Sequence, residues 1–177
     1  MRTLPLLMVL MACQPTFNWR ETRLDDSALA AMMPCKPERM TRQVPFVNGA
    51  TVEMTVASCE AGGVTFALST TDVQDPAQVA RVLTLWRDVV QRHWQYTSAA
   101  SVAKDAVKPF ALPQSTPLAS SVRLTGTGRN AQGADMAVDA AFFAQGSRVF
   151  QVALIAQPPK ALTPEVAEMF YGGLKLQ

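Results

Sequence analysis

Few residues of this sequence stand where catalysis would need them. Its one histidine, His93, lies beside Trp94. A lone imidazole with no second base, nucleophile or ligand nearby has no partner for proton transfer, so His93 reads as a half-buried helix residue. Asp135 and Asp139 would share one face of an extended strand, and paired carboxylates suit acid–base hydrolysis. Four strand residues set them about 13 Å apart, however, beyond the separation that glycoside hydrolysis uses, and both are expected to face solvent. The sequence has no Gly-x-Ser-x-Gly elbow to expose a nucleophilic serine. Gly126-Thr127-Gly128 begins like a phosphate-cradling loop, but Arg129-Asn130-Ala131-Gln132-Gly133 lacks the Lys-Ser or Lys-Thr ending and leads into a strand. A hairpin turn is the better reading. Trp86 and Trp94, with Val90 between them, could line a slot for a small apolar ligand or simply pack in the core. Cys35, Cys59 and the distant His93 have no metal-ligand spacing, so neither a metal nor a cofactor is expected.

At 177 residues, 49% of them hydrophobic and 17% charged, the chain is sized for one domain with its own core. Sixteen Lys and Arg against fourteen Asp and Glu leave a charge of only +2, too small and too scattered for a nucleic-acid surface. The longest apolar run, at the N-terminus, stops at Cys13 and falls short of the about eighteen residues a membrane-spanning helix needs.

The elements read as follows. Leu24 to Met33, after a candidate cap at Asp26, reads as a short helix ending before Pro34. Arg42 to Phe46 and Val52 to Ser58 read as a hairpin turning at Asn48-Gly49, which would pair Phe46 with Thr51, Val44 with Glu53 and Arg42 with Thr55. Val52, Met54 and Val56 share one face, and Val64, Phe66 and Leu68 continue a meander after the turn at residues 60–63. Pro45 lacks a donor, so the first strand is expected at an edge.

Asp75-Pro76 opens the best helix, in which Val79, Val82, Leu83, Trp86, Val90 and Trp94 recur at helical spacing. Residues 98–120, with Pro109, Pro113 and Pro117, form a long connection holding one short strand around Val107 to Leu112. A second meander follows: Ser121 to Thr127, Gly133 to Phe143 and Arg148 to Ala156. Thr163-Pro164-Glu165 then opens a final helix that Gly172-Gly173 stops. The predicted class is α+β: an antiparallel sheet of two meanders, covered on one face by the long central helix and the short C-terminal helix.

The N-terminus carries chemistry of another kind. Arg2, a short apolar core from Leu4 to Met11 and Ala12-Cys13 follow one another in the order of an export signal. Leu10-Met11-Ala12-Cys13 resembles the lipobox of bacterial lipoproteins. That resemblance implies removal of residues 1–12, diacylglycerol on the Cys13 sulfur and acylation of the new amino group. Several acyl chains would hold the protein to a membrane, since each buried methylene contributes about 0.8 kcal/mol. In that family an Asp after the cysteine tends to retain the protein in the inner membrane, so Gln14 implies the periplasmic side of the outer membrane, with the inner membrane the lesser alternative. Residues 13–26 then read as a tether, and residues 27–177 as the domain. Within the tether, Phe17 and Trp19 would either sit at the membrane interface or pack back onto the domain. Export implies an oxidising compartment where thiols pair, and the expected hairpin carries Cys35 towards Cys59. A disulfide between them is expected, with two free buried thiols as the alternative.

The order of elements, and the ending Met169-Phe170-Tyr171-Gly172-Gly173-Leu174-Lys175-Leu176, resemble the PsbP-like superfamily over about residues 34–177. The resemblance implies a non-enzymatic accessory, assembly or chaperone protein that binds another envelope component. A module for a small apolar ligand or lipid is the alternative.

Overall fold

The computed structural model describes residues 16–24, 27–45, 51–95, 97–98, 107–158 and 160–177. Residues 1–12, Cys13, the Asp26 cap and the Asn48-Gly49 turn lie outside them.

Two antiparallel sheets and two helices make an α+β fold. The small sheet holds β1 (Arg20–Arg23), β2 (Leu29–Met33) and β11 (Lys175–Leu176), with β2 in the centre. The large sheet unites both expected meanders. β3 (Glu38–Pro45), β4 (Thr51–Ala61) and β5 (Val64–Asp72) form one half. β8 (Val122–Arg129), β9 (Asp135–Gln145) and β10 (Arg148–Ala156) form the other. β5 and β10 join the halves antiparallel, from Val64 opposite Ala156 to Asp72 opposite Arg148. β6 (Thr97–Ser98) and β7 (Val107–Pro109) both pair with the outer edge of β8. β3 is the opposite edge, as Pro45 requires.

The helices depart from expectation. α1 (Val79–His93) buries Val79, Val82 and Leu83 against Leu124, Val138, Phe142 and Val149 on one face of the large sheet. α2 (Pro164–Gly172) buries Ala167, Phe170 and Tyr171 against Phe66, Phe143, Phe150 and Leu154 on the other, together with β2. The helices therefore cover opposite faces, a correction to the one-sided reading. The cause is visible in β9 and β10, whose runs MAVDAAFFA and VFQVALIA are buried on both sides and demand cover on both.

Three local readings are also corrected. Leu29–Met33 is a strand, not part of a helix; five apolar residues are too few for periodicity to decide, and pairing with both β1 and β11 does. Residues 16–24 are not a free tether, because they include β1, and Phe17 and Trp19 pack on the core. The β3–β4 register is one residue from that expected: Val44 faces Val52, and Arg42 faces Met54. A one-residue slip exchanges faces. The observed register sets Met40 and Val44 beside Val56 and Val52, and sets Gln43 beside Glu53, so apolar meets apolar across the pair.

Capping follows the sequence. Thr163 Oγ1 accepts from the Val166 N–H, with Pro164 at the first helical position. Asp75 accepts from the Ala77 N–H, although the first turn, Pro76–Gln78, is 3-10 before α1 begins. Gly62 and Gly63, both at positive φ, close the tight β4–β5 turn. β8 runs on through Arg129, and its turn is formed by Asn130, whose side-chain oxygen accepts from the Gln132 and Ala134 N–H groups.

Gly128 lets α1 dock at that strand. A Cβ there would lie 2.5 Å from the Trp94 carbonyl oxygen, which also accepts the Arg129 N–H at 2.6 Å. Gly128→Ala should therefore destabilise by about 1–3 kcal/mol through overpacking; urea unfolding that matches the parent protein would refute this role for the glycine.

Candidate functional site

On the α2 face, side chains of adjacent strands fall into rows. Cys59, Phe66 and Leu154 lie in one, and Ala57, Leu68, Val152 and Ala141 in the next. Both are roofed by α2 and the small sheet. The last row is polar. Gln43 pairs with Glu53, and Arg148 pairs with both Asp72 and Gln145. Here, beyond the cover, an open groove of about 540 Å³ runs across β3, β4, β5 and β10, with Thr55, Thr70 and Gln74 also in its walls.

Charge in the groove is partly compensated. Arg148 Nε stands 3.9 Å from Asp72 Oδ2, and Asp72 Oδ1 accepts the Gln74 N–H at 2.8 Å. Burial pushes the Asp72 carboxyl up, but the Gln74 N–H, the Ser147 hydroxyl and the Arg148 charge outweigh it and hold the group below its usual range. Gln74 has φ of 64°, an uncommon conformation for a side chain of its size. The Thr41 and Thr55 hydroxyls meet at 3.2 Å, and Thr70 donates to the Val149 carbonyl. The lining offers hydroxyls, two amides, two carboxylates and a guanidinium. Such groups bind a polar partner by hydrogen bonding and charge.

A second polar cluster lies deeper on the same face. Asp139, 3% exposed, is not the solvent-facing carboxylate expected beside Asp135, whose side chain is exposed. It accepts both arms of Arg123, at 2.8 Å from Nε and 2.7 Å from Nη2. Arg123 also reaches exposed Glu168 at 3.5 Å and covers the Tyr171 ring at 3.7 Å from its centroid. Burial opposes the guanidinium charge, but Asp139 overrides it and holds Arg123 protonated. Burial, and then the Asp139 charge, push the Tyr171 hydroxyl well above its ordinary range. The cluster fastens α2 to the sheet. The sequence did hold a signal for it: Asp139 is the one charge within an otherwise apolar run from Met136 to Phe143.

The other residues singled out by sequence are scattered. Cys35 and Cys59 form a disulfide with 6.0 Å between Cα atoms, beside the α2-face core. Trp86 lies edge-on to Phe142 at 6.4 Å, and Trp94 packs in the same cluster under α1. The two indoles are thus partly buried against the core on the face opposite the groove. His93 is exposed, not half-buried, at the end of α1. Among the described residues no group of three or more His, Cys, Asp or Glu could hold a metal. The groove itself left no sequence signal, because its lining comes from four strands at separate places in the chain.

No protein-family model matches this chain, and no curated protein matches it. Among solved structures, a crystal structure at 1.50 Å from Bacteroides thetaiotaomicron VPI-5482 is similar, at 8% identity and a TM-score of 0.40, over 84% of this chain and 45% of that one. The chain spans less than half the length of that protein, and a likeness so distant carries no argument about function.

Proposed function

We propose that this protein is fixed to the periplasmic side of the outer membrane by lipid on Cys13. There it acts as a non-enzymatic accessory or assembly factor that binds another envelope component through the groove. The observation that carries the reading is the uncovered polar row of Gln43, Glu53, Asp72 and Arg148, at the end of a sheet whose apolar rows on that face are roofed by α2 and the small sheet. The disulfide fits an oxidising, non-cytoplasmic compartment. No helix among the described residues is long and apolar enough to cross a membrane, and the lipobox resemblance supplies a different attachment. PsbP-like kinship, which rests on element order, belongs to the same proposal. Trp86 and Trp94 lend no support to the apolar-ligand alternative, since both side chains already pack against the core on the face away from the groove.

Two variants test the halves of this reading. Cys13→Ser should leave an unprocessed precursor without acyl chains; a trimmed, acylated product would rule out the anchor. A photo-crosslinking residue at Gln43 should capture a discrete envelope partner in intact cells, and Arg148→Glu should abolish that adduct. An adduct indifferent to Arg148→Glu, or none at all, would rule out the groove as the binding surface.

A further inference from the structure

We infer that the lipidated protein stands end-on at the bilayer, with the β4–β5 turn against the lipid surface and the groove held at the far end. This deepens the proposed function and rests on its anchor at Cys13.

The chain is fixed almost immediately after that cysteine. A Cβ on Gly62, in the β4–β5 turn, would lie 2.9 Å from the Phe17 ring and 3.3 Å from Thr16 Cγ2, so residues 16 and 17 lie directly on the turn. Phe17 stacks on Trp19 at 5.8 Å, Trp19 stands edge-on to Phe66 at 5.8 Å, and the Asn18 N–H donates to the Pro34 carbonyl at 2.8 Å. Only three peptide links separate Cys13 from Thr16, a reach of about 11 Å when fully extended. The acylated cysteine must therefore lie close to the β4–β5 turn.

The groove is at the other end of the same strands. β4 runs eleven residues from Ala61 at the turn to Thr51 at the groove, a rise of about 34 Å. The tether is about a third of that length and does not reach around the domain. Around the turn, exposed Lys36 and Lys160 are balanced by exposed Glu38 and Glu60, so the orientation comes from the tether and owes little to attraction by anionic lipid.

The test places a fluorophore at one end or the other of the lipidated protein. It is reconstituted in phosphatidylethanolamine–phosphatidylglycerol vesicles that carry a nitroxide-headgroup lipid as a short-range quencher. Gln157→Cys follows Ala156, which pairs with Val64 beside the turn; Ala77→Cys lies just beyond the opposite end of β5. With Cys13 acylated and Cys35–Cys59 bridged, each new thiol is the one available to label. Loss of most emission at residue 157 and little loss at residue 77 is expected, unchanged when phosphatidylcholine replaces phosphatidylglycerol. Inserting about twelve Gly/Ser residues after Cys13, with a root-mean-square span of about 20 Å, should remove the difference. Equal or reversed quenching in protein whose N-terminal peptide carries acyl chains would overturn the orientation while leaving the anchor standing. A peptide mass without acyl chains, in protein that leaves the vesicles, would overturn the anchor and the orientation with it.

Discussion

Replacing Arg123 with methionine should destabilise the fold by about 3–5 kcal/mol, because it strands a buried carboxylate. Asp139 is 3% exposed and takes two hydrogen bonds from the one guanidinium. The same change removes the cation from the Tyr171 ring and loosens the hold of the sheet on α2. The counterpart Asp139→Leu should cost less, since the Arg123 side chain is 22% exposed and can turn its charge towards water. Combining the two should recover most of the loss. Apolar groups of similar volume can replace a buried ion pair at little cost, whereas breaking one is expensive. Glu168, with its side chain 74% exposed, should matter by less than about 1 kcal/mol. Urea unfolding of both single variants and the double variant closes the cycle. An Arg123→Met protein as stable as the parent would show that the pair does not hold α2.

Removing the disulfide should have the second large effect. Cys35 and Cys59 are 24 residues apart, and closing such a loop restricts the unfolded chain enough to stabilise by about 3.5 kcal/mol on the chain-entropy account. The site adds a local reason. β3 is an edge strand exposed along almost its whole length, paired on one side alone. Cys35 ties the residues just before it to β4, which pairs with the core strand β5. The Cys35→Ser/Cys59→Ser double variant should therefore unfold at lower urea, and β3 amides should exchange faster than those of β9 or β10. Equal urea midpoints in the oxidised parent and the double variant would contradict the assignment of stability to this bridge.

The two results bear on function differently. The disulfide pins the end of β3 nearer the β4–β5 turn, the edge strand whose far end supplies Gln43 to the groove, so its loss should loosen that strand before the rest of the fold. The Arg123–Asp139 pair lies under α2, outside the groove lining. A change there that leaves the protein folded should leave partner capture at Gln43 intact.

Local chemistry carried much of this fold in plain view. Asp75-Pro76 and Thr163-Pro164 announce helix starts because cap and fixed φ act within one turn of chain. Gly62-Gly63 announces a turn because two successive positive φ values favour residues without a Cβ. Alternation marks β5 at Val64, Phe66 and Leu68, all buried on one face. The compartment argument, drawn from the N-terminus, singled out Cys35 and Cys59, which pair.

What the tertiary structure alone decided was which surface meets which. Leu29–Met33 is a strand because β1 and the C-terminal Lys175–Leu176 supply its hydrogen bonds, and neither neighbour is visible from within the segment. Phe17 and Trp19 pack back onto the domain because Phe66 offers an edge for the Trp19 ring. Asp139 is buried because Arg123, sixteen residues earlier, stands where it can pair both oxygens. The helices divide between two faces because β9 and β10 are apolar on both. The groove exists where that double cover ends. Sequence patterns report the preference of a residue for burial or for a backbone angle, whereas a face, a register and a groove depend on long-range pairings that only the folded chain brings together.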